Sequence, residues 1–293
     1  MGISVDVAVD SRSTLGEGPV WDVADQCLWW VDIKGHLVHR YDPATNVDET
    51  FDVGEPVGCL AVREAGGLMI ATQSGFHEFD TATGVKRAVH DPEAHLEGNR
   101  FNDGTTDRQG RFWAGTMRDD GTPEKRGTFY RMDADRGVTP MLDGFFTTNG
   151  SAFSPDGRVM YMSDSNAGVQ SVWAFDYDVD DGSISNRRVF FDARAVAGRP
   201  DGGTVDADGC YWMAGIDGWQ IVRITPGGEV DRIVEVPVER PTKPMFGGAG
   251  LDTIFVTSLS LGLTPGAHQP HAGSLLAISG LGVTGVPEVR FKG

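Results

Sequence analysis

Short apolar runs recur along the chain, and none of them is long. LWWVD (28–32), GLMIAT (67–72), RFWAGTM (111–117), RVMYMSD (158–164), CYWMAG (210–215) and LDTIFVTS (251–258) are each bounded by polar, glycine-bearing turns. Runs this short, rich in aromatic and β-branched residues, predict strands rather than helices. A further short strand follows several of them and ends in HRYDPATN (39–46), HEFDTATG (77–84) or YRMDADRG (130–137). Nothing reads as a long amphipathic helix or a linker. No run reaches the roughly 18 apolar residues of a membrane helix.

The turn before each apolar run follows a shared frame. Glu17-Gly-Pro-Val-Trp21-Asp22, Asn102-Asp-Gly-Thr-Thr106-Asp107, Asn149-Gly-Ser-Ala-Phe153-Ser154 and Asp201-Gly-Gly-Thr-Val205-Asp206 are its clear copies. Each has an apolar or β-branched residue at offset four and a short polar one at five. Weaker copies begin at Gly58 and Thr242, so successive starts are 41, 44, 47, 52 and 41 residues apart. A period in the forties with about four strands per unit is the signature of a β-propeller. Six units predict an all-β, six-bladed propeller and one domain over 1–293. The strands VDVAVD (5–10) and PEVRFK (287–292) are expected to pair and close the ring. A β-sandwich is the competing all-β architecture, but it does not explain the shared offsets.

Charge narrows the partners. Forty-two acidic residues against 25 basic give a formal charge of -17, which argues against nucleic acid or an anionic membrane and favours cations. The N-terminus lacks a basic segment followed by an apolar core, and three scattered cysteines offer no CxxC pair. Both features lead us to expect a cytoplasmic protein, a monomer or weak homo-oligomer, without disulfides.

The first position of the frame reads Glu17, Gly58, Asn102, Asn149, Asp201, Thr242. In a propeller these residues lie on one ring, just upstream of the inner strands, at the channel mouth. Each alone is also what a turn uses at a strand start. Together they concentrate oxygen donors without histidine or cysteine, which suits a hard cation such as calcium, magnesium or manganese. Three or four protein ligands leave room for water and substrate, as catalytic metal sites require.

On these residues the chain resembles the gluconolactonase/senescence marker protein (regucalcin) family of six-bladed propellers. The resemblance rests on LGEGPVWD (15–22), WWVDIKGHLVHRYDPAT (29–45), RFNDGTTDRQGRFWAGTM (100–117), TNGSAFSPDG (148–157) and RPDGGTVDADG (199–209), and VDIKG (31–35) resembles the bacterial sugar-lactone lactonase branch. It implies a lactonase that hydrolyses an aldonolactone to the aldonic acid. It also implies one divalent metal, calcium first, with zinc, manganese, magnesium or ferrous iron as alternatives. The implied ligands are Glu17, Asn149 and Asp201, with Asp201 also the general base. Arg100 and Asn102 are implied to contact substrate. Asp119 is the candidate for the pocket glutamate that animal members carry after AGTM. A calcium-dependent phosphotriesterase or arylesterase, and a non-catalytic calcium-binding propeller, are the alternative functions.

Other motifs are set aside. FDYDVDDGSIS (175–185) lacks the glycine and glutamate of an EF-hand and reads as an Asp-rich hairpin. His268-Gln-Pro-His271 reads as loose surface histidines on a loop (260–273) that is also a candidate cap over the pocket. GxSxG is absent, so a serine-hydrolase mechanism has no support. The tryptophans at 29, 30, 113 and 212 are read as core. Lys243 is read as reaching the channel mouth or as an ordinary solvated lysine.

Overall fold

The computed structural model describes residues 2–263 and 268–293. Each apolar run becomes the second strand of a four-stranded antiparallel sheet, and six such sheets follow one another. Their inner strands are Gly16–Asp22, Val57–Val62, Asn99–Thr106, Thr148–Phe153, Arg199–Val205 and Pro241–Gly247, numbered here as blades 1 to 6. A single 3₁₀ turn, Ala193–Ala195, interrupts the all-β pattern among the described residues.

The core explains the ring. Six apolar clusters each join the facing sides of two neighbouring blades. Trp29, Val31 and Val38 of blade 1 meet Leu60, Ile70 and Phe79 of blade 2. Trp21, Leu28 and Trp30 meet Met245, Phe255 and Leu275, which ties the last blade to the first. Because second strands are covered on both faces, they carry apolar residues on both rather than alternating. Outermost strands such as Val47–Asp52 and Val85–His90 are half exposed. The tryptophans at 29, 30, 113 and 212 all lie in this core.

Ring closure corrects one expectation. The N-terminal strand Ser4–Val9 pairs with Leu275–Ser279, not with 287–292, and completes blade 6. Leu275–Ser279 is the apolar strand that the blade 6 core requires; PEVRFK begins with proline and carries charges that need partners elsewhere. That segment crosses beneath the ring instead. Phe291 bridges Arg63 in parallel, Thr106 Oγ1 donates to the Val289 carbonyl at 2.6 Å, and Arg290 pairs with Asp22 at 2.6 Å.

The Asp-rich segment 175–185 is a hairpin, as expected. Asp178 Oδ1 accepts the amides of Asp180 and Asp181, and Asp176 pairs with Arg188. The cysteines are buried and unpaired. The proposed cap at 260–273 lies partly outside the described residues, at 264–267.

Candidate active site

Every inner strand is bulged at the start of the repeat frame. The register gains one residue between Glu17 and Val20, Val57 and Cys59, Phe101 and Gly104, Asn149 and Ala152, Pro200 and Gly203, and Pro241 and Pro244. A bulge breaks strict alternation and re-aims side chains. The ring residues therefore lie inside the inner strands, at these bulges, and not upstream of them as expected from sequence. Gly18 and Gly150, which follow Glu17 and Asn149, take φ of +55° and +65°, a left-handed backbone that favours glycine.

Ring side chains link neighbouring blades. Asn102 Nδ2 donates to the Thr148 carbonyl at 2.9 Å, and Thr242 Oγ1 to the Gly16 carbonyl at 2.6 Å. Asn149 Nδ2 donates to Asp201 Oδ1 in a very short contact, and to Ser165 Oγ at 2.9 Å. Ser165 Oγ in turn donates to the Pro200 carbonyl at 2.7 Å. Glu17 Oε2 accepts the amide of Gly18 at 2.8 Å. Gly58 is glycine because a Cβ there would stand 2.3 Å from the Phe101 carbonyl.

In two of the frames the next residue reaches further. Lys243 Nζ, on blade 6, donates to Asp103 Oδ1 of blade 3 at 2.6 Å and to the Gly104 carbonyl at 2.9 Å. Asp103 Oδ2 accepts from Ser151 N and Oγ, each at 2.8 Å. Lys243 is 1% exposed, so it is not a solvated lysine; it points inward to Asp103. Sequence reasoning missed this pair, although the second column of the frame carries it. That column reads Gly18, Cys59, Asp103, Gly150, Gly202, Lys243, two opposite charges on opposite blades among small residues.

Glu17, Asp103, Asn149 and Asp201 are all buried. Burial, then the charge of Asp103, pushes the Glu17 carboxyl up to about 7. Burial, then the charge of Glu17, holds Asp201 well above the usual carboxylate range. Neither carboxylate has a hydrogen bond from a cationic side chain among the described residues. Asn149 Oδ1 is buried and has no hydrogen-bond partner. Two undercompensated carboxylates and an orphaned carboxamide oxygen form a donor set that fits a hard divalent cation. No group of three His, Cys, Asp or Glu side chains suited to a metal occurs among the described residues; the third donor here is an amide.

An arm runs outward from the ring. Arg100 NH1 donates to Asn102 Oδ1 and to the Phe101 carbonyl, both at 2.8 Å. Its Nε donates to Asp119 Oδ2 at 2.7 Å, and Lys34 Nζ donates to the same oxygen at 2.5 Å. Arg100 is buried, while the Asp119 side chain is 26% exposed. Asp119 thus braces Arg100, and its carboxyl sits below the usual range: burial opposes this, but Arg100 and Lys34 outweigh it. A separate cavity of about 360 Å³ lies against Trp29, Arg40, Arg63 and Arg290 and includes none of these residues.

Comparison with known proteins adds relatives to this geometry. A family profile described as "SMP-30/Gluconolactonase/LRE-like region" matches residues 15–260. Regucalcin of Danio rerio is 37% identical over 297 residues, 99% of each chain. The 6-deoxy-6-sulfogluconolactonase of Pseudomonas putida is 37% identical over 261 residues, 88% of each chain. Among solved structures, a calcium-binding regucalcin from Agrobacterium tumefaciens superposes with a TM-score of 0.92. It is 28% identical, and the match covers 99% of this chain and 97% of that one.

Proposed function

The chain belongs to the SMP-30/gluconolactonase/LRE-like family, and on that footing we propose that it is a metal-dependent sugar lactonase. Its substrate is an aldonolactone of the glucono-, xylono-, galactono- or arabinono- type, and its product the aldonic acid. The relative named 6-deoxy-6-sulfogluconolactonase supports lactone hydrolysis, and the calcium-binding relative supports a divalent cation, calcium first. The observation that carries the reading is the buried set of Glu17, Asn149 and Asp201, with its orphaned Asn149 Oδ1 beside the Arg100 arm.

Glu17, Asn149 and Asp201 would hold the cation. When bound, it supplies Lewis acidity to a carbonyl and lowers the pKa of water. Asp201 Oδ2 takes no hydrogen bond among the described residues, which leaves it to accept the proton of an attacking water. As the C–O bond to the new hydroxyl forms, the ring C–O bond breaks, and that proton passes to the departing ring oxygen. Arg100 binds the substrate's oxygens, and Asn102 orients the ring from its fixed place on the Thr148 carbonyl. Asp119 acts through Arg100 by fixing the guanidinium. Unpaired cysteines suit a reducing cytoplasm as the place of action.

A pH-drop assay over a panel of aldonolactones, aryl esters and phosphotriesters tests this reading, run with chelator and with added cations. The expected result is turnover of an aldonolactone well above the other esters, lost with chelator and restored by metal. Undiminished turnover after chelation, or faster turnover of aryl esters, overturns it.

A further inference from the structure

The channel below the ring holds a charge arrangement that ligand chemistry alone does not require. Lys243 reaches from blade 6 across the axis to Asp103 of blade 3, and both are buried. Gly202 leaves the space for it, because a Cβ there would stand 2.4 Å from Lys243 Cβ. Asp103 is held from its other side by the amide and hydroxyl of Ser151. Pair and ring interact: the charge of Asp103 acts on both Glu17 and Asp201, and that of Lys243 on Glu17.

Charge counting gives the pair a function. Nearby cations at the mouth share their acid partners: Asp119 takes both Arg100 and Lys34, and Asp217 both Arg199 and Arg240. Lower in the channel, Glu288 faces Arg108 at 3.8 Å. Of the three carboxylates around the ring, Asp103 alone is paired with a cation, the ammonium of Lys243, while Glu17 and Asp201 form no ion pair among the described residues. Lys243 is thus the cation that the ring's own carboxylates hold. A buried site favours an occupant whose charge its surroundings offset, so a fixed positive charge beside the ring lowers the occupant charge that the ring favours.

Resting on the metal reading above, we propose that Lys243 is a positioning residue whose charge lowers the negative charge at the ring by one unit and thereby shifts its preference towards divalent over trivalent cations. Without Lys243 the same donors carry one more uncompensated negative charge, that of Asp103, and the preference shifts towards a trivalent ion. The role needs no contact between Lys243 and the ion. It is electrostatic, exerted by a fixed ammonium in a water-poor channel where charge is poorly screened.

The test compares the affinities of Ca²⁺ and Tb³⁺ by titration calorimetry, which does not depend on turnover. Lys243→Met is expected to raise the Tb³⁺-over-Ca²⁺ preference about tenfold or more, as one added unit of negative charge close to the ion requires. Lys243→Met combined with Asp103→Asn restores the wild-type charge and is expected to return the preference to within about threefold of wild type, a rescue that loss of packing does not produce. Should Lys243→Met fail to fold, Asp103→Asn with Lys243 retained removes one negative charge, and the preference is expected to move the other way. A preference unchanged in folded Lys243→Met, or not restored in the double variant, overturns the proposal. Failure of the wild type to bind either ion instead overturns the metal reading on which it rests.

Discussion

Glu17 and Asp201 are buried carboxylates with different surroundings, and substitution is expected to separate them. Asp201→Asn removes the proposed proton acceptor but keeps an oxygen, so kcat is expected to fall about 10³-fold while calorimetry still detects the cation. Glu17→Gln removes a charged donor, and its main effect is expected on Kd for the ion, about 100-fold by analogy with outer-sphere losses of 10–100-fold. Full activity in either variant after chelation and metal replacement contradicts these assignments. A third carboxylate, Glu55, reports on folding alone. Burial opposes its ionisation, but Lys86 and the hydroxyl and amide of Ser74, each of the latter at 2.8 Å, together bring its carboxyl below its ordinary 4.5. The unfolded chain therefore binds this proton more readily, and the contribution is complete above pH 4.5 and lost as pH falls through the lower, folded value. Urea unfolding of wild type and Glu55→Gln should differ by about 1 kcal/mol at pH 7 and converge in acid.

At the scale of the element, the bulge near the head of each inner strand is the recurring device. It was only half legible in the sequence. The shared offsets located the six residues, but a bulge is a property of pairing between two strands, and no single strand displays it. Gly202 marks one place where an inner strand passes close to a side chain from the next blade. Gly202→Ala must displace Lys243, whose Cβ and Cγ would lie 2.4 and 2.5 Å from the new carbon. The expected cost is about 2 kcal/mol, read by urea unfolding. The terminal segment offers a second test. Phe291 is fully buried between blades 2 and 3, and Phe291→Ala should cost about 3–5 kcal/mol. If instead Phe291→Ala leaves stability unchanged, 287–292 does not fasten the ring from below.

For the whole molecule, six interblade clusters share the stabilisation, and the polar ring is the part of the interior that packing leaves unsatisfied. Net charge acts at this scale as well. An acidic protein of charge -17 admits a neutral lactone and repels the carboxylate formed from it. Product inhibition is therefore expected to be weak at low ionic strength and to strengthen as salt shortens the screening length from about 30 Å at 0.01 M towards 8 Å at 0.15 M. Inhibition constants for the aldonic acid measured across that range decide it; strong inhibition that ignores salt excludes electrostatic expulsion.

The chain by itself determined the six-bladed class and the ring positions of Glu17, Asn102, Asn149 and Asp201, because a repeated frame must place equivalent residues equivalently. It also determined the burial of its tryptophan-rich strands, since runs so apolar need both faces covered. Only the tertiary structure decided which strand completes blade 6, because PEVRFK and Leu275–Ser279 are both strand-like locally and the interblade core chooses between them. It alone decided that Asp119 braces Arg100, a contact between residues 19 apart in sequence. It alone turned Lys243 inward to Asp103, a pairing across 140 residues. A local pattern records what each blade needs; which charges meet on the axis is fixed only once the ring has closed.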